Sequence, residues 1–344
     1  MAKNGFVLNK LSQLVPPETD WSLCIGAGAS FPIFPSWPVL AKELAEYMHL
    51  HVPQEHHYDA YLTPEVIIQT VYELCERPET YADTLSEVLY ANLFKSLNAE
   101  QKRLVTNCLT ITMPVKSLKW DRYINIIKGK GQTTSLKLGE YIADSIYKTQ
   151  RPPKSIITFN AELLLPSLIN AYACIKYDRH AKVLNYITEP TSSQYQGRIN
   201  FYFCHGLVTV PGSNEVAKKN FNAKDKLVFA ENEYLQLANS SFSWQSSSFM
   251  STLLNSTVFF VGLSFMDPNV RRWLSWMHKC KVEAIRRFDP VSAESTSHYW
   301  IEKYVDDENT RRWIEASVAH LGVRLIWVNE FGDVVNVLNK SIKK

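Results

Sequence analysis

The chain predicts an α/β fold in which a mostly parallel sheet carries helices on both faces and is interrupted by a helical insertion. Three observations carry this. An apolar run, Trp21–Ile25, ends in the small-residue turn Gly26-Ala27-Gly28-Ala29-Ser30. From residue 155 onward, short apolar runs alternate with stretches of helical spacing, the pattern of strand–helix–strand units. Between these parts, residues 52–150 keep helical periodicity for too long to be a loop. The expected organisation is one sheet domain built from residues 1–51 and 151–344, with residues 52–150 as a helical insertion or lid subdomain.

Each element follows from local pattern. Residues 6–14 predict a short helix with Val7, Leu8, Leu11 and Leu14 on one face. The first strand and its glycine turn come next. Pro32, Pro35 and Pro38 then hold an extended loop, because proline and the residue before it resist helical geometry. A helix begins near Pro38 with Leu40, Leu44, Tyr47 and Met48 facing inward. Thr63-Pro64-Glu65 reads as a helix start, and Leu85, Val88, Leu89 and Leu93 form a helical stripe. Lys128-Gly129-Lys130-Gly131 reads as a flexible turn without the spacing of a phosphate-binding P-loop. Later strands are expected at 156–159, 199–203, 257–261, 298–300 and 324–328. The serine-rich stretch 245–251 falls in a helix–loop segment, and 333–342 predicts a closing helix.

Composition excludes several classes. The 344 residues carry a formal net charge of +3, which does not indicate a nucleic-acid partner. No apolar run reaches the ~18 residues that span a bilayer. The N-terminal residues do not form a signal peptide, so a cytoplasmic location and no membrane partner are expected. The six cysteines, Cys24, Cys75, Cys108, Cys174, Cys204 and Cys280, form no C-x-x-C pair. A zinc ribbon is therefore not expected, nor any metal site, and the scatter reads as buried free thiols in a reducing compartment.

Four segments could carry chemistry. The turn Gly26-Ala27-Gly28-Ala29-Ser30 after a strand is how Rossmann-like folds present backbone N–H groups to a phosphate, and glycine lets the backbone come close. In Ser155-Ile156-Ile157-Thr158-Phe159-Asn160-Ala161-Glu162 a strand ends in a polar residue. Asn160 is placed either to hydrogen-bond a ligand beyond the strand's carboxyl end or to cap the next helix. In Phe201-Tyr202-Phe203-Cys204-His205-Gly206 an aromatic strand ends in a histidine. His205 is a candidate general base, since imidazole exchanges protons near neutral pH, or a structural residue bonded to a neighbouring loop. In the segment 257–269, Gly262 allows close approach and Ser264 could bond a phosphate or ribose, while Asp267 before Pro268 has helix capping as its main role. The basic residues Arg271, Arg272, Lys279, Lys281, Arg286 and Arg287 read as a solvated helix face.

Together these segments resemble the sirtuin-like NAD-consuming domains. The matching features are Gly26–Ser30, the Pro35-Ser36-Trp37 loop, Thr158-Phe159-Asn160-Ala161-Glu162, His205-Gly206 and Gly262-Leu263-Ser264-Phe265-Met266-Asp267, in the family's order across residues 21–272. The branch most similar is the bacterial antiphage one, whose members hydrolyse NAD and carry a helical insertion after the first α/β unit. Glu162 stands where the family usually has Asp. The four paired zinc cysteines of the protein-deacetylating sirtuins are lacking, which argues against a deacetylase.

The resemblance implies an NAD+ glycohydrolase, active in antiviral defence by abortive infection, with NAD as substrate and no metal. Asn160 and His205 would be catalytic. Gly26, Ala27, Gly28, Ala29, Ser30, Trp37, Glu162, Gly262, Ser264 and Asp267 would bind the dinucleotide. Because free NAD hydrolysis would harm the host cell, a homo-oligomer is expected, gated by assembly or by a regulatory protein partner such as an ATPase or a nucleic-acid-guided protein. The alternative is a non-catalytic receptor subunit of a defence complex that binds NAD or ADP-ribose. A dehydrogenase is disfavoured: its third glycine is replaced by Phe31, and Glu43 and Glu46 lie in a predicted helix rather than at a strand end.

Overall fold

The computed structural model describes the chain except residues 1–5, 8–10, 12–13, 54–60, 76–80, 112, 114, 181, 191–196, 214–226, 241, 289–297 and 343–344. Among the described residues eight strands form one sheet: β1 Phe6–Val7, β2 Trp21–Ile25, β3 Ser155–Thr158, β4 Leu184–Ile187, β5 Ile199–Phe203, β6 Thr257–Val261, β7 His298–Lys303 and β8 Val323–Val328. Their order is β1-β8-β7-β6-β2-β3-β5-β4. Every pairing between these strands is parallel. The α/β, Rossmann-like class expected from the sequence is the one observed.

The central strands β2 and β6 are buried at every position, as a parallel sheet covered on both faces requires. Alternate residues of each strand enter different cores. Leu23, Ile156, Phe201 and Phe259 pack on one face with residues from 40–45, 67–71, 85–93, 105–127, 136–143 and 164–173. Cys24, Ile157, Cys204 and Phe260 pack on the other with Phe249, Val270 and Trp273. The helices of residues 64–147 thus join the core on one face of the sheet, where they pack chiefly on helices Trp37–Tyr47 and Leu164–Tyr177.

Several expectations are corrected. The segment 6–14 is not a helix where it is described. Phe6 and Val7 pair with Ile326 and Trp327 as a short edge strand, because the outer edge of β8 offers unpaired backbone groups; residues 8–10 and 12–13 lie outside the described residues. Tyr47 is 54 % exposed, since the inward face of helix Trp37–Tyr47 is Leu40, Ala41, Leu44 and Ala45. Lys128–Lys130 end the helix Trp120–Lys130, and only Gly131, at φ 150°, leaves it. Helix Trp244–Asn255 runs through the serine-rich stretch, started by the Ser243 side chain, which accepts from Ser246 N. Strand β4 was not expected: Asn185 and Tyr186 interrupt its apolar run. Five cysteines are buried free thiols as expected, but Cys280 is exposed.

Candidate active site

The strand order decides the site. β2 lies between β6 and β3, and β5 follows β3, so the chain leaves β2 toward one side of the sheet and later returns to the other. Ligands of open α/β sheets sit at such a reversal, beyond the carboxyl ends of the strands. All four predicted segments emerge there, from β6, β2, β3 and β5 side by side. Gly262 follows β6, Gly26 follows β2, and Asn160 and His205 lie two residues beyond β3 and β5.

The two glycine turns are locked together. Gly26 N–H donates to Val261 O and Gly28 N–H to Gly262 O, each at 3.0 Å. A Cβ on Gly26 would lie 2.4 Å from Gly262 O, and one on Gly262 would lie 2.3 Å from Ala29 N. Gly262 also has φ +65°, a conformation that costs an ordinary L-residue about 1 kcal/mol. The next two amides close a 3-10 turn, Ala29 N–H to Gly26 O and Ser30 N–H to Ala27 O. Four of the turn's five N–H groups are thus engaged within the protein.

Asn160 is buried and aimed back at the turn. Its Nδ2 donates to Gly26 O and to Glu162 Oε1, each at 3.2 Å. It does not cap the following helix, which starts at Leu164. Glu162 does that work, its Oε2 accepting from Leu164 N–H. Ser30 Oγ donates to Glu162 Oε1 at 2.6 Å. Ser135 ties in behind, its hydroxyl donating to Ala29 O at 2.9 Å. Burial raises the Glu162 carboxyl above its usual range, against the lowering effect of the bonds from Ser30, Leu164 and Asn160.

His205 is 5 % exposed. Its ring meets Phe159 edge-on with centroids 4.9 Å apart. Its Nε2 lies 3.3 Å from Asp267 Oδ2, close enough for an ion pair but not aligned as a hydrogen bond. Asp267 caps helix Pro268–Arg286 as expected, Oδ1 accepting from Asn269 N–H at 2.8 Å and Val270 N–H at 3.4 Å. The other His205 nitrogen, Nδ1, is 3.4 Å from the Tyr234 hydroxyl.

Beside these residues lies a cavity of about 1120 Å³, large enough for a dinucleotide. Trp37, Ser264 and Tyr234 are among its walls, with His51 and Glu65 on the side of the helical segment. Trp37 is held by Phe229, at a centroid distance of 4.7 Å, and by Glu65 Oε1, which accepts from its indole N–H at 3.0 Å. Asn160 and His205 are not among the walls. His205 sits one layer behind, with Tyr234 in front.

The structure therefore gathers the segments of Gly26–Ser30, Asn160, Glu162, His205, Gly262 and Asp267 at one sheet edge, with Trp37 and Ser264 in the adjoining cavity wall. Sequence reasoning missed Tyr234 and Glu65. Neither has a local signature; each is identified only by what its helix packs beside. Among the described residues no group of three or more His, Cys, Asp or Glu is arranged to hold a metal. No described helix is long and apolar enough to cross a membrane.

With this geometry in place, residues 154–321 match the family model of the SIR2-like domain. No curated protein matches the chain. The matched region holds Asn160, Glu162, His205 and the segment from Gly262 to Asp267; it does not include the turn at 26–30 or Trp37. SIR2-like domains use NAD, so the match assigns this region NAD-related chemistry in general terms. The residues fit such a ligand: the cavity is of dinucleotide size, with the Trp37 indole and Ser264 in its wall.

Proposed function

We propose that the protein is an NAD+ glycohydrolase that cleaves the nicotinamide–ribose bond to release nicotinamide and ADP-ribose. The observation that carries this reading is the adjacency of Asn160 and His205 beyond the neighbouring strands β3 and β5, next to a cavity walled by Trp37 and Ser264. The reaction is close to glycoside hydrolysis, with a cation-like transition state at the sugar carbon. Nicotinamide leaves from an already cationic ring, so no strong general acid is required. Asn160, fixed by Gly26 O and Glu162 behind the cavity wall, orients the ribose and the attacking water through the turn it holds. His205 accepts the proton released by that water, and Asp267 faces the resulting imidazolium. Four of the turn's five amides are engaged within the protein, two with the β6 end and two within the turn, so phosphate contacts fall to the rim of the cradle and to Ser264.

By analogy with the antiphage branch, the activity serves abortive infection and is gated in a homo-oligomer or by a protein partner such as an ATPase or a nucleic-acid-guided protein. Residues 52–150 serve as the lid, joined to Trp37 within the cavity wall through Glu65.

Incubation of the purified protein with NAD, with and without candidate activators, reads free nicotinamide directly. His205→Ala and Asn160→Ala are expected to fold and to lose about 10²- to 10⁴-fold in turnover. Full turnover by both variants would refute the assignment.

One observation favours a second reading. His205 lies behind Tyr234 rather than in the cavity wall, as suits a receptor subunit that binds NAD or ADP-ribose without cleaving it. Saturable binding with no nicotinamide release under every activating condition would establish that reading instead.

A further inference from the structure

The imidazole of His205 is boxed on three sides. Phe159 meets its ring, Asp267 Oδ2 faces Nε2 at 3.3 Å, and the Tyr234 hydroxyl faces Nδ1 at 3.4 Å. Of these neighbours, Tyr234 alone also lines the cavity. Its ring stands edge-on to the imidazole with centroids 5.2 Å apart, and its backbone carbonyl accepts from the Asn269 side chain at 3.4 Å. Tyr234 thus belongs to helix Glu231–Asn239 yet is tied to the helix that Asp267 caps.

We propose that Tyr234 is the positioning residue through which His205 acts on the cavity, its hydroxyl donating to Nδ1 while the Asp267 carboxylate, 3.3 Å from Nε2, favours the proton on that nitrogen. The assignment of protons follows from the partners: a carboxylate oxygen only accepts, so Nε2 carries hydrogen and Nδ1 keeps its lone pair. Burial, and then the charges of Asp267, Glu65 and Glu233, raise the Tyr234 phenol, which keeps it protonated as a donor. When a water in the cavity attacks, its proton passes to the Tyr234 oxygen as the Tyr234 proton passes to Nδ1. The tyrosine ends unchanged, the imidazole ends as a cation facing Asp267, and no proton is lost or gained.

This inference rests on the glycohydrolase reading for its substrate, but its contact can be tested without turnover. Nitrogen NMR of the full chain, with the His205 signals assigned by His205→Ala, reports which ring nitrogen is protonated. In the wild type at neutral pH, a bare Nδ1 and a protonated Nε2 are expected. Tyr234→Phe keeps the ring and removes the hydroxyl. It should shift the Nδ1 signal, keep the Michaelis constant for NAD, and lower nicotinamide release by about 10²-fold, the scale of a misplaced base. A protonated Nδ1 in the wild type overturns the proposal, as does a Tyr234→Phe protein with unchanged His205 signals and full turnover. Should the wild type release no nicotinamide while Tyr234→Phe still moves the Nδ1 signal, the glycohydrolase reading fails and the tyrosine–histidine contact stands.

Discussion

Ser30 and Glu162 lie 132 positions apart and are joined by a 2.6 Å hydrogen bond, the hydroxyl donating to Oε1. That one carboxylate also accepts from the Asn160 amide and from Leu164 N–H. Glu162 therefore links the turn after β2, the strand end at β3 and the start of helix Leu164–Tyr177.

Glu162 gives stability a particular pH dependence. Burial raises its carboxyl from the ordinary 4.5, so the folded chain keeps a proton that the unfolded chain has released. The folded state binds more protons in that window, and stability falls as pH rises from 4.5 through the raised value. Glu162→Gln has no such proton. Thermal melts of both proteins across pH 4 to 8 should show the variant gaining on the wild type as pH rises; a constant difference would count against the buried acid.

His298 acts with the opposite sign. Burial first, then Lys281 and His278, push its imidazole down to about 3, and its Nδ1 accepts from Val258 N–H at 3.2 Å. The unfolded chain takes up a proton below the ordinary 6.5 that the folded chain refuses. Stability is therefore present above pH 6.5 and is lost as pH falls toward 3. His298→Asn, which keeps an acceptor, should flatten that acid limb. An unchanged limb in urea titrations at pH 7 and pH 5 would assign the acid loss elsewhere.

Two glycines should respond in opposite ways to alanine. At Gly262 a Cβ would lie 2.3 Å from Ala29 N at a left-handed backbone, so Gly262→Ala is expected to cost about 2 kcal/mol or more and to weaken NAD binding. At Gly129, in the helix Trp120–Lys130, a Cβ meets nothing within 4 Å. Gly129→Ala should stabilise by about 0.5 kcal/mol, because alanine loses less backbone freedom in a helix. Chemical denaturation reads both, and a harmless Gly262→Ala would mean the two turns do not interlock in solution.

The bond from the Trp37 indole to Glu65 ties the loop before the first long helix to helix Pro64–Leu74. Glu65→Ala should raise the Michaelis constant for NAD about fivefold, the equivalent of ~1 kcal/mol for a lost hydrogen bond, and leave the turnover number close to that of the wild type. An unchanged Michaelis constant would place the dinucleotide elsewhere.

How much was legible follows from range. Gly26–Ser30, Asn160, His205 and Gly262 were identifiable because each ends an apolar strand-like run, a feature carried by fewer than a dozen neighbouring residues in each case. The short strands Phe6–Val7 and Leu184–Ile187 were not: the first forms at a sheet edge supplied by a distant part of the chain, and in the second Asn185 and Tyr186 interrupt the apolar run. Tyr47 was misplaced because a helical stripe has a width, and only packing decides which flank turns outward.

By itself, the sequence determined the α/β class, the parallel strands and the polar or glycine residue at each strand's end, because hydrophobic periodicity and turn chemistry are local. The tertiary structure alone decided that β6, β2, β3 and β5 lie side by side, that Glu162 rather than Asn160 takes the helix amide, and that Tyr234 stands between His205 and the cavity. Those relations depend on pairing and packing between segments more than a hundred residues apart in several cases, such as Ser22 and Ser256, and close-packed contacts of that kind leave no mark in the short-range pattern of a chain.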